Sequence, residues 1–416
     1  MERDDVQKPS PRRPARTAFG ALPGVMRLLV GTQLAFNVGF YMVVPYLAVH
    51  LATDLALAGG LVGLVLGLRT FSQQGLFVVG GTLADRWGAK PVILAGCALR
   101  VAGFLLLGAA TSLPGVLAGA LLTGFAAALF SPAVESALAR EAGELPPAGP
   151  TRADVFAMFA VSGQVGTVVG PLIGAALLLI DFGVACAVAA AAFVLIGLAH
   201  LRWLPHRAAA HAGEPVLDGW AEVLRNRRFL VFAAGYSGYL LCYNQLYLAL
   251  PVELERGTGG QAALGWLFAL AAVMVILGQV RTTRWARRRS VEQPLMLGFG
   301  LMSAAFLLVA VALPASPAGV WPSIGFVVLL TAGQMLAGPV AQALVPVLAA
   351  ERRLGAYFGV LASAGGLAVL VGSTAVGALL DVSVAPPVLA WLVLAAVPLV
   401  SAVVIGALAR RGALRG

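Results

Sequence analysis

Charge is the scarcest commodity in this 416-residue sequence: Asp, Glu, Lys and Arg together make up 11% of it, against a hydrophobic share of 60%. A soluble chain of this length keeps its surface wet with roughly a quarter charged residues, so a soluble class is excluded. Lysine is almost missing, with only Lys8 and Lys90 among the 28 basic residues. Arginine therefore carries the net charge of +10, and with the abundant Ala and Gly this usage suggests a GC-rich bacterial genome. The histidines, His50, His200, His206 and His211, are scattered without metal-ligand spacing or a nearby nucleophile, which leaves a polytopic membrane enzyme without a catalytic cluster. Cys97, Cys186 and Cys242 lie far apart inside apolar blocks and read as packing residues. No G-x-x-x-x-G-K-S/T loop occurs, and no soluble stretch could hold one, which argues against an ATP-driven pump. No cofactor and no metal are expected.

What the sequence has in plenty is long apolar blocks, many near the ~20 residues that cross a bilayer. Read between turn and charge clusters, they predict twelve transmembrane helices. The first six lie near 25–50, 59–81, 91–111, 114–139, 154–180 and 183–204; the second six near 229–252, 262–283, 294–314, 321–349, 355–381 and 386–409. Apart from Arg69 and Arg100 within spans and Arg256 on one side, the basic residues fall in the two tails and in alternate connections. That side is cytoplasmic by the positive-inside bias, and two cytoplasmic tails require an even number of crossings. The opposite connections are short and carry Asp54, Asp181, Glu253, Glu255 and Asp381. Because the basic charge marks topology, it is no nucleic-acid face. The bilayer is the expected surrounding, a bacterial inner membrane the expected location, and a monomer the expected state. Residues 1–23 are polar and rich in Arg and Pro, as in a disordered tail, and no signal-peptide cleavage site follows them.

The two halves repeat. Tyr41-Met42-Val43-Val44-Pro45 in span 1 is echoed by Tyr247-Leu248-Ala249-Leu250-Pro251 in span 7. Gly80 to Lys90, after span 2, matches Gly278 to Arg288, after span 8, with Trp87 on Trp285. Gly163 and Gly170 in span 5 match Gly365 and Gly372 in span 11. The order is kept, and six helices per half in parallel repeats is a known layout for secondary carriers. The expected organisation is a cytoplasmic tail (1–23), a six-helix bundle (24–204), a linker (205–228), a second six-helix bundle (229–410) and a short tail (411–416). In the linker, residues 216–224 alternate apolar and charged faces, as either a surface-lying helix or a polar tether would.

The most specific run is Gly80-Gly81-Thr82-Leu83-Ala84-Asp85-Arg86-Trp87-Gly88-Ala89-Lys90, in the cytoplasmic turn between spans 2 and 3. Its small residues permit a tight turn and close backbone approach, and Asp85 and Arg86 can pair at helix ends. Such a charged latch would hold one packing of the helices and release another. The run resembles the loop 2–3 signature of the major facilitator superfamily, G-x-L-x-D-R-x-G-R-R/K, with Ala89 standing where the family usually has a basic residue. The resemblance casts Gly81, Asp85, Arg86, Gly88 and Lys90 as the latch. It makes Glu135, near the cytoplasmic end of span 4, its acidic partner; the alternative for Glu135 is a solvated helix end. In span 5, Gly166, Gly170, Pro171 and Gly174 offer a flat packing face and a bend. This is similar to the signature enriched in exporters of that superfamily. Asn37-Val38-Gly39 with Pro45 resembles span 1 of its twelve-helix drug/proton antiporters.

What the resemblance implies, over about residues 20–410, is two six-helix bundles around a cavity lined mainly by spans 1, 4, 7 and 10, rocking in alternating access. The polar residues of the spans suggest the same lining independently. Tyr236, Tyr239, Tyr243 and Tyr247 recur at helical spacing on span 7, with Asn244 beside them, and Asn37 and Tyr41 form an i, i+4 pair on span 1. Such groups avoid lipid, and aromatic walls suit bulky amphipathic or cationic ligands; helix packing with interfacial tyrosines is the competing reading. Arg69 and Arg100 each sit near mid-span, at about 2.5–3.5 kcal/mol apiece even on a lenient scale. Gln73 gives Arg69 a polar neighbour one turn on. Arg69 is either structural or a contact for an anionic or carbonyl-rich substrate, whereas Arg100, in a span expected to be peripheral, reads as structural. The candidate substrate-cavity set is Asn37, Tyr41, Arg69, Gln73, Tyr239, Tyr243, Asn244, Tyr247 and Gln334. No acid occupies the middle of spans 1, 4, 7 or 10, so the candidates for proton coupling are Glu135 and Asp154. The expected function is secondary export of hydrophobic or amphipathic small molecules with a proton as counter-ion. Metabolite or sugar uptake by the same fold is the alternative.

Overall fold

A chain so poor in charge and so rich in apolar blocks has to satisfy its backbone internally, and it does so with helices. The computed structural model describes residues 19–146, 152–206, 223–314, 318–349, 354–381, 384 and 386–410. Both tails and residues 207–222, where the surface helix of the linker is expected, lie outside the described residues, as do 315–317 of the turn expected between spans 9 and 10. Among the described residues all regular structure is helical, opening with a 3-10 turn, Phe19–Ala21. The first seven helices are α1 (Gly24–Thr53), α2 (Gly59–Gln74), α3 (Phe77–Trp87), α4 (Ala89–Ala109), α5 (Leu113–Gly143), α6 (Arg152–Leu177) and α7 (Phe182–Trp203). The next six are α8 (Arg227–Thr258), α9 (Leu264–Ala286), α10 (Glu292–Ala312), α11 (Trp321–Leu348), α12 (Leu354–Leu380) and α13 (Pro387–Arg410).

Two expected spans depart from the pattern. Span 2 is not one helix: Gly75 closes α2 by bonding the Phe71 carbonyl at 2.7 Å, and Leu76, at φ −110° and ψ 6°, leaves the helical region before α3 begins. The expected span ended at residue 81, but α3 runs on to Trp87 and stops only at Gly88, whose φ of 85° any side chain would resist. Span 7 is a continuous helix, α8, but its tyrosines, amides and acids dilute its hydropathy. Among the described residues, ten helices rather than twelve are long and apolar enough to cross a membrane by length and composition. Large apolar side chains stand outward on them: Val311 is 80% exposed, Trp321 74% and Trp266 68%. Exposure on that scale needs lipid around it, and the chain is a multi-pass membrane protein.

The helix ends are tied by named contacts. The Asp181 carboxylate accepts from the Val184 N–H at the start of α7, and Asn226 does the same for Phe229 at the start of α8. The Lys90 ammonium donates to the Leu201 and Leu204 carbonyls at 2.9 and 2.7 Å, capping the last turn of α7 from the start of α4.

Packing repeats as the sequence does. In the first half α1 lies on α6 and α7, α4 on α5 and α7, and α2 on α5. In the second, α8 lies on α12 and α13, α10 on α11 and α13, and α9 on α11. Between the halves α2 lies along α12, α6 along α9, and α1 touches α8. The α2–α12 contact is backbone on backbone: a Cβ on Gly59 or Gly63 would collide with the Gly377 or Ser373 carbonyl oxygen, and one on Gly67 would stand 2.8 Å from the Leu370 Cα.

Candidate functional site

α1, α2 and α8 bring most of the polar side chains of the spans to one place between the halves. Tyr41 of α1 and Tyr243 of α8 face each other with hydroxyls 3.4 Å apart, and Tyr243 lies 3.4 Å from the Tyr247 hydroxyl one turn on. The tyrosines of the duplicated Tyr-x-x-x-Pro motif, Tyr41 and Tyr247, thus belong to one chain of phenols across the junction. Tyr239 stacks on Tyr236 at 4.9 Å and reaches the opposite way, its hydroxyl 2.7 Å from where a Cβ on Gly338 of α11 would be. Gln334, on α11, is buried with its Nε2 lacking a partner.

Arg69 enters this group from α2. It is 5% exposed, donates from Nη2 to the Gln73 Oε1 at 2.5 Å, and holds its guanidinium 4.5 Å from the centroid of Phe40. The phenols of Tyr247, Tyr41 and Tyr243 are the ionisable groups close to it. Arg100 also lies against Phe40 and is no peripheral residue. Its guanidinium carbon is 4.8 Å from Phe36, 5.3 Å from Phe193 and 5.6 Å from both Phe40 and Phe104. It is 1% exposed, and none of its three nitrogens has a hydrogen-bond partner. Gln73 serves Arg69, whereas among the described residues no acceptor serves Arg100. The phenylalanine cage was missed in the sequence, although Phe36 and Phe40 at i, i+4 and Phe104 one turn beyond Arg100 were visible there.

Other candidates sit elsewhere. Asn244 is displaced from the phenol chain: one residue on from Tyr243 is about 100° around the helix. It is 4% exposed, accepts from the Thr70 hydroxyl at 3.2 Å and donates to the Ser373 hydroxyl at 3.0 Å. That network ties α2, α8 and α12, and neither Thr70 nor Ser373 was singled out in the sequence. Asn37 donates to the Gln33 carbonyl of its own helix at 2.9 Å and lies against α6. The glycines of α6 receive α1: a Cβ on Gly166 would be 2.6 Å from the Asn37 Cβ, one on Gly170 2.7 Å from the Tyr41 Cβ, and one on Gly174 would strike the Met42 carbonyl oxygen. Pro171 lies inside α6, and its carbonyl accepts from the Tyr46 hydroxyl at 2.6 Å.

The latch candidates gather at the end of the molecule nearer the chain termini. Gly81 and Asp85 lie in α3 and Asp154 in α6, with side chains outside the described residues. Gly80 leaves room for α5, since a Cβ there would collide with the Ala128 carbonyl oxygen. Arg86 stands in the last turn of α3, where a cation suits the helix dipole. Glu135 is exposed on α5, with no hydrogen bond or salt bridge among the described residues. At the opposite end a cavity of about 890 Å³ is lined by His50, Asp54, Asp181 and Gln261 among others. His50 stacks on Phe182 and meets the Asp54 carboxylate at 2.7 Å. Burial works to raise the Asp54 pKa, but hydrogen bonds from His50 and Thr53 outweigh it and hold the carboxyl below its ordinary range.

Comparison with known proteins bears on the family and the fold. The sequence profile of the Major Facilitator Superfamily matches residues 29–373. An uncharacterized MFS-type transporter of Mycobacterium tuberculosis is 41% identical over 378 residues, 88% of each chain. The multidrug resistance protein MdtH of Escherichia coli O157:H7 is 32% identical over 372 residues, 88% of this chain and 89% of its own. Among solved structures, a POT family transporter in complex with 5-aminolevulinic acid superposes with a TM-score of 0.79 at 14% identity, covering 96% of this chain and 98% of its own. The nucleoside transporter NupG does so with 0.76 at 15%, covering 91% and 99%. At these identities the likeness of the solved structures is one of fold.

Proposed function

Because the chain belongs to the Major Facilitator Superfamily, we propose that this transporter exports hydrophobic or amphipathic small molecules through a site between two six-helix bundles. Twelve crossings make up the bundles, with α2 and α3 together forming the second and α8 the seventh; both termini are cytoplasmic, in a bacterial inner membrane. The observation that carries the reading is the chain of phenols from Tyr41 through Tyr243 to Tyr247, beside Arg69, where the duplicated halves meet. Polar groups are costly among apolar helices unless they have work to do, and a site shared by both halves changes shape when one rocks on the other. The name carried by the MdtH relative, multidrug resistance protein, favours export of drug-like compounds.

In this reading Gly81, Asp85, Arg86, Gly88 and Lys90 form the latch that holds the cytoplasmic side. The tight approach at Gly80, the turn at Gly88 and the tie from Lys90 to α7 support it. The glycine face of α6 lets α1 lie close and move as one body with it. Transport is coupled to protons, with Glu135 and Asp154 as the carboxylates to test, and the monomer is the working unit.

Expression in a host stripped of its own pumps tests the central claim. Accumulation of some amphipathic compounds in a broad panel is expected to fall, with Asp85→Asn and Arg69→Gln restoring it; unchanged accumulation across the panel refutes export. For the proton, a pH jump across proteoliposomes should drive uptake into the acidic compartment. Coupling that survives both Glu135→Gln and Asp154→Asn removes those two residues from the mechanism.

A further inference from the structure

The two arginines beside the phenol chain make an unusual charge pattern. Arginine stays protonated at any physiological pH, so Arg69 and Arg100 bring two fixed positive charges into the same region, both against Phe40. No carboxylate answers them among the described residues. The titratable groups near Arg69 are the three tyrosines and Arg100, and those near Arg100 are Arg69 and Cys97. The remaining acids of the spans are remote or already paired: Glu253, buried on α8 less than two turns beyond Tyr247, holds Arg256 at 2.6 Å. Gly124 of α5 packs at the level of Arg69 and Ser72, and Glu135 is three helical turns further along α5. Asp85 lies more than four turns beyond Arg69 in sequence, and Asp154 as far from Gly170, which packs on Tyr41.

The phenylalanine rings relieve part of this through cation–π contacts, but they supply no hydrogen-bond acceptor. Arg69 keeps its Nε unpartnered and Arg100 all three nitrogens, both side chains more than nine-tenths buried. Tyr41, Tyr243 and Tyr247 add hydroxyl donors at the same place. Aromatic walls alone would suit a cation. Two guanidiniums of one sign reverse that preference, because in a low-dielectric setting they repel a cation and reward an anion strongly.

We infer that the transported molecule is an organic anion, whose carboxylate or phosphoryl group is held by Arg69 and the tyrosine hydroxyls while its apolar body lies along the aromatic wall. Arg100 touches no substrate; it is a positioning residue that raises the positive potential from within its cage of phenylalanines. The inference rests on the reading of this region as the transport site, and it names the substrate class of that site.

Dansylglycine, an anion at neutral pH, and its uncharged methyl ester share one fluorophore and differ in a single carboxylate, which makes them the probe pair. Binding of each to the purified chain in nanodiscs, followed by fluorescence anisotropy, should favour the free acid by about tenfold. R69Q should bring the acid-to-ester ratio close to one, R69K should keep most of it, and Arg100→Met should reduce it severalfold. Retention of the ratio by R69K also separates lost charge from lost folding. Equal binding of the two dyes, preference for the ester, binding of neither, or a ratio indifferent to R69Q each overturns the anion inference. Transport of both dyes in proteoliposomes is the second arm. An Arg69-dependent preference in binding without movement of either dye would sustain the inference and sink export. Export of the ester alone would do the reverse.

Discussion

Tyr243 occupies the middle of the phenol chain, within 3.4 Å of both Tyr41 and Tyr247. Contacts that long contribute little to stability, under about 1 kcal/mol. Tyr243→Phe is therefore expected to leave Tm nearly unchanged while weakening apparent affinity for a transported compound severalfold. Thermal unfolding and transport kinetics on the same preparation check the split. Arg100 poses the opposite case. An unpaired buried charge is a burden on the folded state, and a shape-matched apolar residue relieves it. Arg100→Met should stabilise the protein by about 1–4 kcal/mol, a rise of roughly 2–4 °C in Tm for each kcal/mol in a chain of some size. A clear fall in Tm by scanning fluorimetry would show instead that the guanidinium has a partner in the folded state. The residue type and mid-span depth of Arg100 were legible in the sequence. Its surroundings were not, because Phe36, Phe193 and Phe104 come from three helices whose meeting depends on the fold.

At the scale of the helix, the small residues of α6 decide how closely α1 can approach. A Cβ on Gly170 would stand 2.7 Å from the Tyr41 Cβ and 2.9 Å from the Val38 carbonyl oxygen. Gly170→Ala must push two backbones apart and is expected to cost about 1–3 kcal/mol, with loss of transport. Gly300, in the middle of α10, has nothing within 4 Å of its would-be Cβ. Gly300→Ala is the control, expected to be neutral or slightly stabilising through its better helix propensity. Equal effects at the two positions, measured by thermal unfolding, would dissociate helix packing from the glycine pattern. The period of that pattern was readable because Gly166, Gly170 and Gly174 repeat every four residues along one face. The break between α2 and α3 was harder to see: apolar residues resume directly after Ser72-Gln73-Gln74, and Gly75 differs little from the many glycines that stay helical.

Over the whole molecule, the contact of α2 with α12 is the seam that the proposed alternating access would have to open. Gly60 brings its would-be Cβ to 3.3 Å from the Ala378 Cβ, close to the separation of about 3.5–4.5 Å that a disulfide spans. The pair Gly60→Cys with Ala378→Cys is expected to cross-link under mild oxidation, to arrest transport, and to recover on reduction. The native Cys97, Cys186 and Cys242 are buried and should stay silent. A cross-linked protein that still transports would rule out separation of these helices as a step in the cycle.

Several properties followed from composition and order alone. Sparse charge and long apolar blocks make a soluble fold unattainable, so membrane helices are dictated locally, by the cost of unsatisfied backbone in lipid. The duplicated motifs, being linear, revealed the repeat, and the Gly80–Lys90 run revealed the family. Tertiary structure decided what those elements face. Whether Asn244 joins the tyrosines or ties α2 to α12, and whether Arg69 and Arg100 lie beside one another, depends on helix rotation and on contacts between residues far apart in the sequence. Helical periodicity assigns a side chain to a face of its own helix. Only the packing of that helix against its neighbours determines whether the face meets lipid, another backbone or the space between the halves.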